Sequence, residues 1–463
     1  MNDAYYIIPV LIFLPTILLI LAQLVYYYLG VNHKYKDLQV ASMPSLSILV
    51  PTKGEKIETV QGLLENIDNA EWDKSKIEVI IISDDTEEYF KEMQQRVKIP
   101  ENLKVIFYRR GINKRGYKSG ALHDGFKKST GELILTMDVD ARIYSDSIKK
   151  GYAQIMAENA DAVTMNWIGY GNVESTTVNS LIISTYYTNT SIITGRDHAG
   201  MPVMPVGCGT LFKRDALNAV DSWDPEMIQD DLEIGTRLIH AGKKIKSSDA
   251  NIKIEVPDTF NAFYTQQTRW AMGSMEVLSR RFRYIISSKI GIIKRLDIIA
   301  FLLQYIPLVL TFLMAIALVI ISPFIHFDIL FNPLFFLWII LLGLYAYVFV
   351  KIGDKFNINA KKAVSAMGRL SSYTVAISPF VLLWIFRAFK SRRIYRITPK
   401  GAGHKMPSNI YAILAFGIFF IAGSLFYLIH FYLLTGLWLL YYSMGYISTF
   451  YLVYKDTWQK NKE

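Results

Sequence analysis

The chain has 463 residues, 52% of them hydrophobic and 19% charged, with a formal net charge of +10. That length accommodates a catalytic domain of ordinary size together with a membrane region. The single cysteine, Cys208, excludes an intrachain disulfide. A nucleic-acid partner is excluded for want of any recognised motif or separate basic domain, and anionic lipid headgroups account for the positive charge.

Residues 5–30, from Tyr5 to Gly30, carry no charge. At about 1.5 Å per residue they are long enough to span about 30 Å of hydrocarbon. No basic stretch precedes them and the apolar core is too long for a cleaved signal, so residues 1–32 are predicted as a transmembrane helix.

Residues 33–296 are predicted as a cytosolic domain that includes amphipathic interface helices. Ser47 to Pro51 reads as a first strand, followed by a helix near 55–69. Ile77 to Ser83 is a second strand, a continuous apolar run suited to a sheet buried on both faces. Lys104 to Phe107 and Leu133 to Met137 are two more, separated by a helix near 117–128. This alternation predicts an α/β domain around a mixed, mostly parallel sheet. Ligands of such sheets bind beyond the carboxyl ends of strands, where strand order reverses. Three polar clusters follow predicted strands directly: Thr52 to Glu55, Asp84 with Asp85, and Asp138 with Asp140.

Asp138 and Asp140 alternate, so in extended backbone both face one side. A nucleoside-diphosphate sugar brings a doubly charged leaving group that two carboxylates alone would repel. A bridging Mg²⁺ or Mn²⁺ suits these oxygen ligands and would act as a Lewis acid on the departing phosphate. The bland alternative is a solvated turn. Asp84 and Asp85 can accept hydrogen bonds from a base and ribose, or cap a helix. Asp230 and Asp231 precede Leu232, Ile234 and Leu238 at the start of an amphipathic helix. They are either caps or a general base for an acceptor hydroxyl. The helix dipole lowers a carboxylate pKa there, while a second carboxylate raises one of the two. Gln266, Arg269 and Trp270 share one helical face. Either they are a packed surface, or Arg269 binds diphosphate through its planar fork and Trp270 stacks on a sugar.

Residues 297–352 are predicted as two transmembrane helices, with apolar runs at 298–325 and 332–350. Residues 353–408 hold a short apolar run, 371–386, and a basic loop; residues 409–463 hold two more spans, 409–429 and 431–454, and a short tail. Lys and Arg follow the first, third and last runs, whereas His326 to Asp328 has none. If 371–386 crossed, the cluster from Arg387 to Lys405 would lie outside, so that run is predicted as interfacial or re-entrant on the cytosolic face. The expectation is five spans of a cell membrane, N-terminus outside, C-terminus and catalytic domain inside.

The order Asp84, Asp138-x-Asp140, Asp230-Asp231, Gln266-x-x-Arg269-Trp270, followed by apolar spans, resembles family 2 glycosyltransferases. More narrowly, it is similar to the processive cellulose, hyaluronan, chitin and mannan synthases. The resemblance implies a nucleotide-sugar-binding, GT-A-like α/β domain inserted between transmembrane helices, and inversion by direct displacement. Carried across, Thr52, Glu55, Asp84, Asp85, Lys118, Asp138, Gln266 and Arg269 would hold the nucleotide sugar. Asp138 and Asp140 would hold the metal, and Asp231 would be the base, with Asp230 beside it. Trp270, Cys208 and Gly209 would line the acceptor, because Val206 to Thr210 resembles a Cys-Gly-Ser/Thr segment of cellulose synthases. Tyr395 to Lys400 is similar to their gating loop, which would bring Thr398 and Lys400 to bound nucleotide. The family's Thr-Glu-Asp is here Gln229-Asp230-Asp231, which leaves the base between two neighbours. The implied donor is UDP-linked and the acceptor a growing polysaccharide, possible translocation through the membrane included; the alternative is a single transfer to a lipid acceptor.

Overall fold

The computed structural model describes residues 2–36, 38, 40, 42–390 and 409–460. The predicted loop from Tyr395 to Lys400 lies outside them. The first apolar run forms α1 (Asn2–Val31), and the predicted strands and helices of the soluble region follow in turn. They are β1 (Leu46–Thr52), α2 (Ile57–Asp68), β2 (Ile77–Ser83), α3 (Glu87–Arg96), β3 (Lys104–Arg109), α4 (Lys118–Lys128) and β4 (Leu133–Thr136). Then come β5 (Arg142–Ile143), α5 (Ser147–Ala157), β6 (Ala162–Tyr170) and α6 (Thr176–Asn189). A π-helical turn, Thr190–Gly195, runs into α7 (Arg196–His198), followed by β7 (Thr210–Lys213), α8 (Arg214–Asn218), α9 (Asp230–His240) and β8 (Ile245–Glu255).

The eight strands form one sheet in the order β3-β2-β1-β4-β7-β6-β8-β5. From β3 to β4 all pairings are parallel. β7 then pairs antiparallel with both β4 and β6, β6 runs parallel to β8, and β5 closes antiparallel on β8. The sheet is mixed, as expected. β1 lies between β2 and β4, so the chain reverses direction across the sheet there, and the carboxyl ends of these three strands open one crevice. Period-two alternation divides the strand residues. Ile48 and Val50 meet Leu63 of α2 on one face, while Leu49 and Ile82 meet Leu122 of α4 on the other.

The remaining helices are α10 (Phe260–Ser287), α11 (Ile292–Leu302), α12 (Ile306–Ile321), α13 (Pro333–Lys355), α14 (Ala360–Arg387), α15 (Ile410–Ile429) and α16 (Leu433–Lys460). Among the described residues, five helices are long and apolar enough to cross a membrane: Ile7–Val31, Ile306–Phe324, Pro333–Lys355, Ala360–Arg387 and Ile410–Ile429. The number equals that expected from sequence, but the set differs: α14 qualifies and α16 does not. Contacts distinguish the two further. Near its start α14 approaches α6, with Lys362 Nζ 3.7 Å from Glu174. Its middle packs Tyr373 on Phe260 and Phe380 on Tyr264 of α10. At its end Trp384 clusters with Ile228 and Met272. Both ends of α14 therefore touch the catalytic domain. α16 instead starts against the loop after α12, where Asp328 accepts from the Thr435 N–H at 2.9 Å. In its last turns Asp456 lies 3.2 Å from Arg369 of α14, which also donates to Thr177 of α6.

Between these helices the space is filled by aromatic rings. Phe13, Phe420 and Tyr446 are wholly buried. Trp438 stacks on Tyr442 with centroids 5.3 Å apart, and Phe420 meets Tyr446 at 5.4 Å. On the catalytic side, α1 crosses the π-helical turn at Gly30 and Gly195. A Cβ at either would strike the Thr190 or Tyr26 carbonyl, so glycine permits the close approach.

Candidate active site

Beyond β1, β2 and β4 lies a cleft of about 240 Å³. Of the residues selected from sequence, Thr52, Glu55, Asp84, Lys118, Asp138, Asp140, Cys208, Asp230, Asp231, Gln266, Arg269 and Trp270 line it. Asp85 and Gly209 lie behind the lining, and Thr398 and Lys400 fall outside the described residues. Asp85 closes its own loop, accepting from the Gly54 N–H at 2.6 Å and the Ser83 hydroxyl at 2.8 Å. Gly209, at φ +84°, donates its N–H to the Thr136 carbonyl at 2.7 Å, a left-handed turn that sets Cys208 against the cleft.

Lys118, at the first turn of α4, binds the acidic groups together. Its ammonium donates to Asp138 Oδ1 at 2.6 Å and to the Gly207 carbonyl at 3.0 Å, and lies 3.9 Å from Asp230 Oδ2. The Asp138 N–H reaches the Cys208 sulfur at 3.3 Å, while Trp167 donates to the Cys208 carbonyl at 2.7 Å. Burial pushes the Cys208 thiol well above its ordinary range, so it remains a neutral, packed group. Asp140 is buried in the turn after β4, where its carbonyl accepts from the Tyr170 hydroxyl at 2.7 Å.

Among the described residues no group of three or more His, Cys, Asp or Glu is placed to hold a metal. Asp138, paired with Lys118, and the buried Asp140 instead put two carboxylates into the lining of the cleft. That fits a cation of Mg²⁺ type, which takes one or two carboxylates and completes its shell with substrate phosphates and water. The chemistry of this donor set, oxygen throughout, is compatible with either Mg²⁺ or Mn²⁺.

Asp230 and Asp231 open α9 and face Lys118. Asp231 is held: its carboxylate accepts from the Gly207 N–H at 3.0 Å, the Gln229 side chain at 2.8 Å and the Leu232 N–H at 2.7 Å. Asp230 is more deeply buried, and its Oδ2 has no hydrogen-bond partner among the described residues. Burial raises both carboxyls. For Asp230 the value reaches about 7, with Lys118 opposing and the Asp231 and Asp138 charges adding to the rise. Asp231 rises too, against the hydrogen bonds from Gln229, Leu232 and Gly207. Burial thus dominates for both carboxyls, and a neighbouring carboxylate adds to the rise only for Asp230.

Gly207 explains how these groups pack so closely. A Cβ there would stand 3.2 Å from Lys118 Nζ, 3.3 Å from Asp230 Oδ2 and 3.4 Å from Asp231 Oδ2. The opposite wall is α10, begun by Thr259, whose hydroxyl caps the Ala262 N–H. One turn beyond Arg269, a Cβ at Gly273 would meet the Gln229 side chain at 2.6 Å, so α10 lies directly on the segment leading into α9. Gln267, on the other side of α10, accepts from the Tyr305 hydroxyl at the start of α12 at 2.8 Å.

Several lining residues had no signal in the sequence. Trp167 and Glu255 sit on β6 and β8, strands with no distinctive pattern, and Asp258 lies just beyond β8. Gly207 was visible only as part of Val206 to Thr210, the segment resembling the Cys-Gly-Ser/Thr stretch of cellulose synthases. Arg110, just after β3, is fully buried behind the cleft and grips Asp84.

Residues 133–351 match the family model described as glycosyl transferase family group 2. A probable glycosyltransferase of Sulfolobus acidocaldarius is 43% identical over 454 residues, covering 96% of this chain and 98% of its own. Two more distant relatives match only part of their length. A beta-monoglucosyldiacylglycerol synthase of Synechocystis is 27% identical over 58% of this chain and 56% of its own. A poly-beta-1,6-N-acetyl-D-glucosamine synthase of Staphylococcus aureus is 26% identical over 56% and 62%. Among solved structures, the mannosyltransferase PcManGT from Pyrobaculum calidifontis, in complex with GDP-Man and Mn²⁺, is similar at a TM-score of 0.55. It shares 16% identity and covers 78% of this chain and 98% of its own, a likeness of fold. The chain belongs to the family 2 glycosyltransferases, with a GT-A-like domain flanked by helices long and apolar enough to cross a membrane.

Proposed function

We propose that this enzyme transfers a sugar, with inversion, from a UDP- or GDP-linked donor to an acceptor hydroxyl presented at the membrane surface. The observation that carries this reading is convergence. Asp138 and Asp140, the Asp230–Asp231 pair, and Gln266, Arg269 and Trp270 line one cleft, and its α10 wall is tied to α12 through Gln267 and Tyr305.

Asp84 meets the nucleoside and Arg269 the diphosphate, whose charge suits a guanidinium fork. A divalent cation held by Asp138 and Asp140 would supply Lewis-acid stabilisation of the leaving diphosphate. Asp231 is the general base. It is the less buried of the pair, and three hydrogen bonds fix its carboxylate, so it is oriented before the acceptor arrives. Burial raises the Asp231 carboxyl and brings the base closer to neutral pH, while the Asp231 charge adds to the rise of Asp230. Lys118 offsets the accumulated negative charge between Asp138 and Asp230. Trp270 offers a face for the acceptor sugar or headgroup.

The packed interior of the helices favours an acceptor that arrives from the lipid. Wholly buried Phe13, Phe420 and Tyr446 occupy the space a polymer would need, and α14, with both ends on the catalytic domain, suits a helix lying along the membrane surface beside the cleft. In this topology α1, α12, α13, α15 and α16 cross, and the catalytic domain faces the cytosol. Elongation of a polysaccharide uses the same chemistry but requires those rings to part. The test is the product. Purified protein in nanodiscs, given radiolabelled UDP- and GDP-sugars, Mn²⁺ and membrane lipid extract, should yield a chloroform-soluble glycolipid on thin-layer analysis. High-molecular-weight, water-soluble product would overturn the lipid acceptor and restore the polysaccharide reading.

A further inference from the structure

Arg110 is among the largest fully buried side chains, beside Trp223, and does not itself line the cleft, though it bonds Asp84 and Tyr117, which do. Its donors are directed at Asp84, at the carbonyls of the 115–117 turn and, at 3.5 Å, at Asp124 of α4. Nε and Nη2 each reach one oxygen of Asp84 at 2.7 Å, a fork-on-carboxylate pairing. Nη1 donates to the Arg115 carbonyl at 2.9 Å, and Nη2 also reaches the Tyr117 carbonyl at 3.1 Å. Tyr117 immediately precedes Lys118, the residue that holds Asp138. Glycine makes the turn possible: Gly116 has φ +66° and rests against Pro225, close to the segment before α9.

Resting on the donor reading above, we infer that Arg110 is a positioning residue for the nucleotide end of the cleft. It fixes the orientation of the Asp84 carboxylate and the start of α4 in one step, so nucleoside recognition and the Lys118–Asp138 contact share one buried anchor. A lysine keeps the charge but not the fork, and so cannot hold both Asp84 oxygens together with the two carbonyls. A merely structural ion pair would affect stability and every kinetic constant alike. A positioning role acts on donor binding first.

The experiment measures binding of UDP and of GDP by calorimetry, and donor KM and kcat, for detergent-solubilised wild type, Arg110→Lys and Asp84→Asn, with melting temperatures in parallel. The expected result is that both variants stay folded and bind the better nucleotide about tenfold or more weakly, the loss typical of hydrogen bonds to a charged group. Donor KM should rise accordingly, with kcat at saturating donor changed by less than about threefold, a loss of uniform binding. The double variant should be little worse than either single one, because both changes break the same contact. Arg110→Lys that is folded and binds nucleotide as wild type does would overturn the inference. So would a fall in kcat as large as the rise in donor KM, together with a lowered melting temperature. Wild type that bound neither UDP nor GDP would instead overturn the donor reading, and this inference with it.

Discussion

The cleft and the helix bundle bury polar groups of different kinds. In the bundle they are neutral hydroxyls: Ser378 lies 2.8 Å from the Tyr446 hydroxyl, Tyr427 donates to the Leu318 carbonyl at 2.8 Å, and Thr449, without a hydrogen-bond partner among the described residues, carries no charge. Aromatic rings close the space around them. In the cleft, Asp230 keeps a buried oxygen without a hydrogen bond, and two adjacent carboxyls are held above their ordinary range. An arrangement that disfavours charge lowers stability and raises reactivity, and proteins accept it at sites of chemistry. Substitutions in the two regions should therefore separate rate from stability.

The largest expected effect is on rate. Asp231→Asn keeps the shape and removes the base, so kcat should fall about a hundred- to ten-thousandfold, the range for general-base catalysis. Melting should be unchanged or raised, since a strained charge is lost. A variant of normal rate would remove the base assignment. The converse substitution is Phe420→Ala. It should destabilise by about 3 kcal/mol or more through the cavity it leaves, while kcat of the folded fraction stays near wild type. A loss of kcat at unchanged stability would break the division between the regions.

The pH profile sharpens the cleft side. The base works deprotonated, so kcat/KM should rise with pH along a limb lying above the usual carboxylate range, because burial raises both carboxyls. Asp230 is the higher of the pair, raised by burial and by the Asp231 charge, so it is still neutral while Asp231 ionises, and Asp230→Asn should leave that limb in place. A limb that moved to lower pH would show that Asp230 ionises first. The sheet supplies a control with the opposite sign. Burial would raise the Glu78 carboxyl, yet hydrogen bonds from Lys104, Ser47 and Thr130 outweigh it and hold it at about 2. A folded pKa below the unfolded one contributes stability above the unfolded pKa of 4.5, lost as pH falls toward about 2. Glu78→Gln should cost about 1–3 kcal/mol at neutral pH, and the gap to wild type should close in that acid window. A gap independent of pH would show that the charge is not what Glu78 contributes.

The parallel half of the sheet was legible because β1, β2 and β4 are apolar runs buried on both faces and each leads into a polar cluster. The other half was not. β7 has four residues, and β8 mixes Lys246, Ser247, Ser248 and Asp249 into a strand. Its antiparallel pairings also bring the sheet closer to an even mixture than a reading of the first four strands suggests. Within the cleft, the carboxylates and the α10 triplet were readable from spacing. Which of Asp84 and Asp85 lines the cleft was not, since both follow the same strand and only the loop closed by Gly54 separates them. Arg110 was hidden for a different reason: an arginine after a strand reads as surface, and its burial comes from the fold of the 115–117 loop around it.

The most direct test of the account is release of nucleoside diphosphate from UDP- and GDP-sugars by the purified protein, with Mn²⁺ and with EDTA, alongside Asp140→Asn. Wild type should turn over one donor class, EDTA should stop it, and the folded variant should be slower by about a hundred- to a thousandfold, as when stabilisation of a developing charge is removed. Equal turnover by wild type and by a properly folded Asp140→Asn, unaffected by EDTA, would contradict it.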